Sequence, residues 1–187
     1  MPYGLRLIES LIKADCRVQL VYTQAAQIVA KQEMDLTLAG TRETAELLGS
    51  RFAAAEGQLQ VYGREEWFAP IASGTNPPDA MVICPCTMGT LASVAAGLSS
   101  NLIERAADVC LKEGRKLVIV PREAPFSTLH LENMLRLSRM GVVILPPNPG
   151  FYHHPQSIQD LVDFVVARIL DQISVPHSLM ARWGNHD

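Results

Sequence analysis

The 187-residue sequence is 48% apolar and 19% charged, with a formal net charge of −3, a composition that suits one α/β domain with a substantial core. It has no basic block interleaved with aromatics, which argues against nucleic acid as a partner, and no apolar run of the roughly 18 residues that a membrane span needs. The opening Met1-Pro2-Tyr3-Gly4-Leu5-Arg6 lacks the charged and apolar regions of a signal peptide, so a cytoplasmic protein is expected.

Pro2 suits a first-turn position, and Leu5, Leu7, Ile8, Leu11 and Ile12 recur at helical spacing, which predicts a helix from the first residues. Arg17 to Tyr22 reads as a strand, Gln24 to Gln32 and Arg42 to Ala55 as helices, and Leu59 to Tyr62 as a short strand. Ile71 to Asp79 is rich in Gly, Pro, Ser and Asn and reads as a loop. Ala80 to Cys84 reads as a buried strand, followed by a turn and a small-residue helix near Leu91 to Leu98. Leu102 to Glu113 is then a helix, Lys116 to Val120 a strand, Thr128 to Met140 a helix and Val142 to Leu145 the last strand, stopped by Pro146-Pro147. Ile158 to Ile173 closes the pattern as an amphipathic helix. This alternation predicts a single Rossmann-like, doubly wound, mainly parallel sheet with helices on both faces, one domain over residues 1–173. The tail from Ser174 to Asp187 is polar, with Trp183 as a large apolar anchor that is either mobile or docked on a neighbouring subunit. Such domains usually open with a central strand whose following loop cradles phosphate. Here a helix comes first, so two interior strand edges are expected to lack a partner.

Chemistry concentrates at strand ends, where open α/β sheets bind ligands. Pro121-Arg122-Glu123 follows the run Lys116-Leu117-Val118-Ile119-Val120, whose unalternating β-branched pattern marks a strand buried on both faces. The Arg-Glu pair is placed for work on an anionic ligand, or is a loop ion pair. Thr87-Met88-Gly89-Thr90 joins a strand end to a helix start, as a phosphate cradle does and as an ordinary threonine cap also does. Thr23 is ambiguous in the same way. Arg105 and Lys112 lie about two helical turns apart and project from one face, as a phosphate clamp or as solvated charges. Arg168 sits among Val165, Val166, Ile169 and Leu170, so it snorkels or has an anionic partner. Glu33 ends a helix as an acid/base group or a solvated one. Tyr152 offers a phenol at a strand-end loop, and Trp67 is placed to wall an aromatic ligand. Cys16, Cys84 and Cys110 fit small core positions, while Cys84-Pro85-Cys86 and His153-His154 have the wrong spacing for a metal site, so no metal is expected.

The segments Pro2–Leu7, Met81–Leu91, Asn101–Val109, Leu111–Glu113, Pro121–Pro125, His130–Met134 and Pro149–His153 together resemble the UbiX family of flavin prenyltransferases, in order and over essentially the whole chain. The resemblance implies that the dimethylallyl group of dimethylallyl monophosphate is joined to N5 and C6 of reduced FMN, without metal. The prenylated FMN would serve UbiD-type decarboxylases, including those of ubiquinone biosynthesis, and homododecamers are expected. It further implies FMN contacts at Thr23, Thr87, Met88, Gly89, Thr90 and Arg122. The donor phosphate would be held by Arg105, Lys112, Tyr152 and Arg168. Glu33, Glu123 and Lys112 would be the catalytic groups, with Trp67 and Trp183 as candidate aromatic walls. UbiX-like chains open with a strand and a Gly-Ala-Ser-Gly loop, and this sequence starts just after that point, so Met1 is expected to be an internal methionine. Two other readings stay open: an FMN-dependent decarboxylase of the related cysteine-decarboxylase superfamily, and a non-catalytic FMN-binding subunit.

Overall fold

The apolar stripe of Leu5, Ile8 and Ile12 builds α1 (Pro2–Lys13), and its buried side chains seed a cluster with Val18, Leu48 and Leu59. A computed structural model describes residues 1–181 of the chain. After α1 come β1 (Val18–Val21), α2 (Gln24–Met34), α3 (Thr41–Phe52), β2 (Leu59–Tyr62) and a short 3-10 turn at Pro70–Ala72. The second half holds β3 (Ala80–Cys86), α4 (Met88–Ala95), α5 (Leu102–Lys112), β4 (Lys116–Pro121), α6 (Thr128–Arg139), β5 (Val143–Ile144) and α7 (Ile158–Gln172). Side-chain caps fix the helix starts. Thr23, Thr87, Asn101, Ser127 and Ser157 each accept a first-turn backbone N–H, which is why α4 begins at Met88, a turn earlier than its apolar pattern suggests.

All strand pairings are parallel, as the alternation predicts, but the expected single sheet is in two pieces. β1 pairs with β2, and β3, β4 and β5 form a separate ladder in that order. No ladder joins β1 to β3, although Val21 and Met81 touch one shared cluster around Ile71, Leu102 and Ala106, and α1 packs against both strands. The interior edges that lack a partner are therefore those of β1 and β3. β4 is central and buried on both faces: Leu117, Val118, Ile119 and Val120 are all within 1% of complete burial. β5 shrinks to two residues, paired with Val118 and Ile119; Pro146 and Pro147, which follow, carry no N–H to extend a ladder.

Because the strands are parallel, their carboxyl ends share one end of each sheet and each helix must carry the chain back. α5 ends at Lys112, a short turn before Lys116 opens β4, so the foot of α5 lies at the amino end of the sheet. The described part of the tail folds onto its own chain. The Val175 N–H donates to the Leu170 carbonyl (3.0 Å), and Val175 and Leu179 pack beside α7. Trp183 lies outside the described residues.

Candidate functional site

At the carboxyl end of the sheets, three strand exits converge. β3 runs into Thr87, whose Oγ1 accepts the Thr90 N–H at 3.3 Å and lies 3.1 Å from the Thr90 hydroxyl. β4 runs into Arg122, whose backbone N–H donates to the Cys86 carbonyl at 2.9 Å and locks the two exits side by side. β1 runs into Thr23, which caps α2 through the Ala26 N–H at 3.1 Å. Among the described residues, the exposed guanidinium of Arg122 has no side-chain hydrogen bond or ion pair. Glu123 is also exposed, its carboxylate accepting the Ala124 N–H.

Glu33 joins this end through α1. Its carboxylate accepts from the Met1 ammonium at 2.7 Å, and one turn further on a Cβ at Gly4 would stand 2.9 Å from the Cys84 carbonyl oxygen. The first turn of α1 thus lies directly on β3. Met88 contributes only backbone, since its side chain is buried in the core with Ile83 and Leu91. Gly89 is exposed, and a Cβ there would find nothing closer than the Thr87 Oγ1 at 4.0 Å. The open face of Gly89, the free N–H groups of the first turn of α4 and an unpaired arginine make a cradle that fits an anionic, ring-bearing ligand such as FMN.

The remaining cations stand elsewhere. Arg105 is spoken for: its Nε donates to the Ala72 carbonyl (2.9 Å) and its guanidinium pairs with Asp108 (2.8 Å). Lys112 pairs with Glu113, and Gly74 lies against the ends of those two side chains. The segment from Arg64 to Gly74 therefore runs down α5, hydrogen-bonded at Leu102 and at Arg105 and lying close to the Lys112–Glu113 pair at the foot. Arg105 and Lys112 do share a face, as their spacing requires, and that face holds the loop before β3. Lys112, at the foot of α5, lies toward the amino end of β4, and Arg122 follows its carboxyl end; the six-residue strand between those ends is itself about 17 Å long.

Arg168, on α7, pairs with Asp171 at 2.7 Å, resolving the choice left open by its apolar neighbours. It lines a cavity of about 340 Å³ with Ile144, Asn148, Phe164 and Gln172, while Lys112 lines a separate one of about 310 Å³ with Glu104, Asp108 and Arg136. Tyr152 is half exposed and lies against Phe164. Trp67 is 44% exposed beside the fully exposed Phe68. One chain thus gathers Thr23, Glu33, Thr87, Gly89, Thr90, Arg122 and Glu123 at one end, with the foot of α5 at Lys112 toward the other and Arg105 engaged by Ala72 and Asp108. The acidic partners Asp108, Glu113 and Asp171 went unread in the sequence, although Arg105/Asp108 and Arg168/Asp171 show the i,i+3 spacing of helix ion pairs.

The thiols are structural. Cys86 and Cys110 are buried, and burial pushes the Cys84 and Cys86 thiols up to about 12 and Cys110 to about 11. All four cysteines are free, and among the described residues no cluster of His, Cys, Asp and Glu could hold a metal ion. Nor, among those residues, is any helix long and apolar enough to cross a membrane.

Residues 1–170 match the family model described as Flavoprotein. The chain is 54% identical over 183 residues to the flavin prenyltransferase UbiX of Pseudomonas aeruginosa, covering 97% of this chain and 88% of that protein. Among solved structures it resembles AnUbiX (PadA1) in complex with FMN and dimethylallyl pyrophosphate, with TM-score 0.87, 36% identity and coverage of 99% and 92%. It also resembles the dodecameric FMN-dependent UbiX-like decarboxylase of Escherichia coli O157:H7, with TM-score 0.85, 43% identity and coverage of 98% and 93%.

Proposed function

This chain belongs to the UbiX-type flavin prenyltransferases of the flavoprotein family, and on that premise we propose how its residues divide the work. The enzyme transfers the dimethylallyl group of dimethylallyl monophosphate to N5 and C6 of reduced FMN. FMN supplies the nucleophilic ring atoms. Thr23, the Thr87–Thr90 turn and Arg122 hold it at the carboxyl end of the sheets, and the observation that carries this is the unpaired Arg122 guanidinium beside the open first turn of α4.

As the donor's C–O bond breaks, negative charge gathers on the departing phosphate, and cations aimed there lower the barrier. Lys112, Arg168 and the Tyr152 phenol are assigned to that phosphate, with Arg105 beside Lys112. Since the foot of α5 that carries Lys112 and the β4 exit that carries Arg122 lie toward opposite ends of the sheet in one chain, we assign a site using both to more than one copy. A homododecamer, the state named for the Escherichia coli relative, supplies the copies. Glu33 and Glu123 stand at the FMN end as the groups to take the proton released when the second carbon bond forms, in competition with the freed phosphate. The product is assigned to UbiD-type decarboxylases, and four free thiols fit a reducing cytoplasm.

The test is anaerobic incubation with reduced FMN and dimethylallyl monophosphate, read by product mass. A flavin heavier by one C5H8 unit is expected. Because one structural relative is called a decarboxylase, the second arm offers an aromatic acid with FMN. Carbon dioxide release without any prenylated flavin would replace the transferase reading.

A further inference from the structure

Among the described residues, His153 is the partly exposed side chain whose two ring nitrogens are buried without a hydrogen-bond partner. Buried polar groups are almost always satisfied, so one left unpaired calls for a reason. The reason lies in the shape around it. Phe151 to His154 is a turn closed by the His154 N–H on the Phe151 carbonyl at 3.1 Å, with Tyr152 and His153 as its central pair. Gln156 Nε2 donates to the His154 carbonyl at 2.7 Å and ties the turn to the start of α7. Asp160, in the first turn of α7, is engaged by the backbone N–H groups of Gln156 and Ser157.

The imidazole is stacked on Phe164, with centroids 5.3 Å apart and planes at 16°. Tyr152 stands edge-on to both rings, at 5.8 Å and 78° to His153 and at 5.7 Å and 75° to Phe164. The cluster closes over Gly150, where a Cβ would meet Tyr152 Cε1 at 2.7 Å and the Phe164 ring at 3.1 Å. Phe164 lies one turn before Arg168 on α7, and both line the same cavity. Phe164 thus carries both the Tyr152 ring edge and the stacked imidazole of His153, beside the cavity that Arg168 also lines.

We propose that His153 is a positioning residue of the prenyl-donor site: its ring, not its nitrogens, wedges Tyr152 against Phe164 so that the phenol and the Arg168 guanidinium address one phosphate. This rests on the prenyltransferase reading above. A flat ring fills the slot, and an aliphatic chain of similar volume does not.

The experiment compares wild type, His153→Phe, His153→Leu and His153→Ala. Calorimetry reads dimethylallyl monophosphate and FMN affinities, and anaerobic kinetics read KM and kcat. Loss of the two ring contacts corresponds to about a tenfold change in donor affinity. His153→Leu and His153→Ala should therefore raise the donor Kd about tenfold and lower kcat/KM by at least as much, with FMN affinity nearly unchanged, while His153→Phe stays within about twofold of wild type. The leucine variant, which keeps the volume, reads the effect if the alanine variant unfolds. Donor affinity equal to wild type in the leucine variant, or equally damaged in the phenylalanine variant, overturns the proposal. Wild type that binds donor but forms no prenylated flavin overturns only the transferase reading, and wild type that binds no donor overturns both.

Discussion

Arg6 is the staple between the two end helices, and its removal tests how firmly the FMN end is held. Its Nε and Nη2 donate to the Asp163 carboxylate at 2.7 and 2.9 Å, and its Nη1 donates to Glu9 at 2.9 Å. The side chains of Arg6, Asp163 and Glu9 are 21%, 15% and 24% exposed. An exposed pair contributes about 0–1 kcal/mol, and breaking a fully buried one costs about 3–5 kcal/mol. This one falls between, and each acid keeps a second donor: Gln159 Nε2 for Asp163 at 2.6 Å, and Lys13 for Glu9 at 2.6 Å. Arg6→Met, which keeps the packed stem, should therefore cost about 2 kcal/mol. Urea unfolding at fixed protein concentration measures it, and a double-mutant cycle with Asp163→Asn should give a coupling of about 1 kcal/mol. Acid adds a second readout. Burial pushes the Glu9 carboxyl up, but Lys13 and Arg6 together hold it below its ordinary 4.5. Its contribution is therefore present above about pH 4.5 and lost as pH falls through the lower folded value. Arg6→Met should shrink that acid loss. A coupling under about 0.3 kcal/mol with an unchanged acid limb would show that apolar packing alone docks α1 on α7.

Gly4→Ala should destabilise the chain by about 1 kcal/mol, or roughly 2–4 °C in Tm, because overpacking against the Cys84 carbonyl outweighs the better helix former; an unchanged melt would mean that α1 moves freely off β3. In Arg122→Ala, FMN affinity should fall about tenfold or more, as expected for a lost charged hydrogen bond, and fluorescence titration showing less than a twofold change would remove Arg122 from the FMN site. Alkaline pH should unfold the protein. The Cys84, Cys86 and Cys110 thiols are raised from 9.0 to about 12, 12 and 11, so stability is full below pH 9 and falls by about 1.4 kcal/mol per thiol per pH unit above it. Replacing Cys84 by alanine should flatten that limb; an identical pH profile would refute the assignment. Hydrogen exchange should find alternate amides of β1 and β3 open within minutes while β4 stays protected on both edges, and equal protection of all three strands would refute the divided sheet.

The elements themselves are local facts and were legible. Leu5, Ile8 and Ile12 at helical spacing give α1, and the unalternating Leu117 to Val120 gives a central strand, because periodicity acts over a few residues, while Thr23 and Thr87, readable as caps or as ligand contacts, do cap α2 and α4. The ordered motifs were enough to name the family, and the comparisons agree.

What Arg105 and Lys112 face was a different matter. Their shared helix face follows from sequence spacing, but its occupant, the loop through Ala72 and Gly74, is more than thirty residues away in the chain, and only the fold brings it there. The distance between Lys112 and Arg122 likewise follows from parallel topology, which sends a helix foot and a strand exit to opposite ends of one sheet. The ring stack of His153 on Phe164 and the missing ladder between β1 and β3 are also settled in three dimensions. Sequence fixes which residues lie on one face of an element, because that depends on 3.6- or 2-residue geometry; the fold decides what that face meets, because contacts between distant segments follow from packing the whole chain.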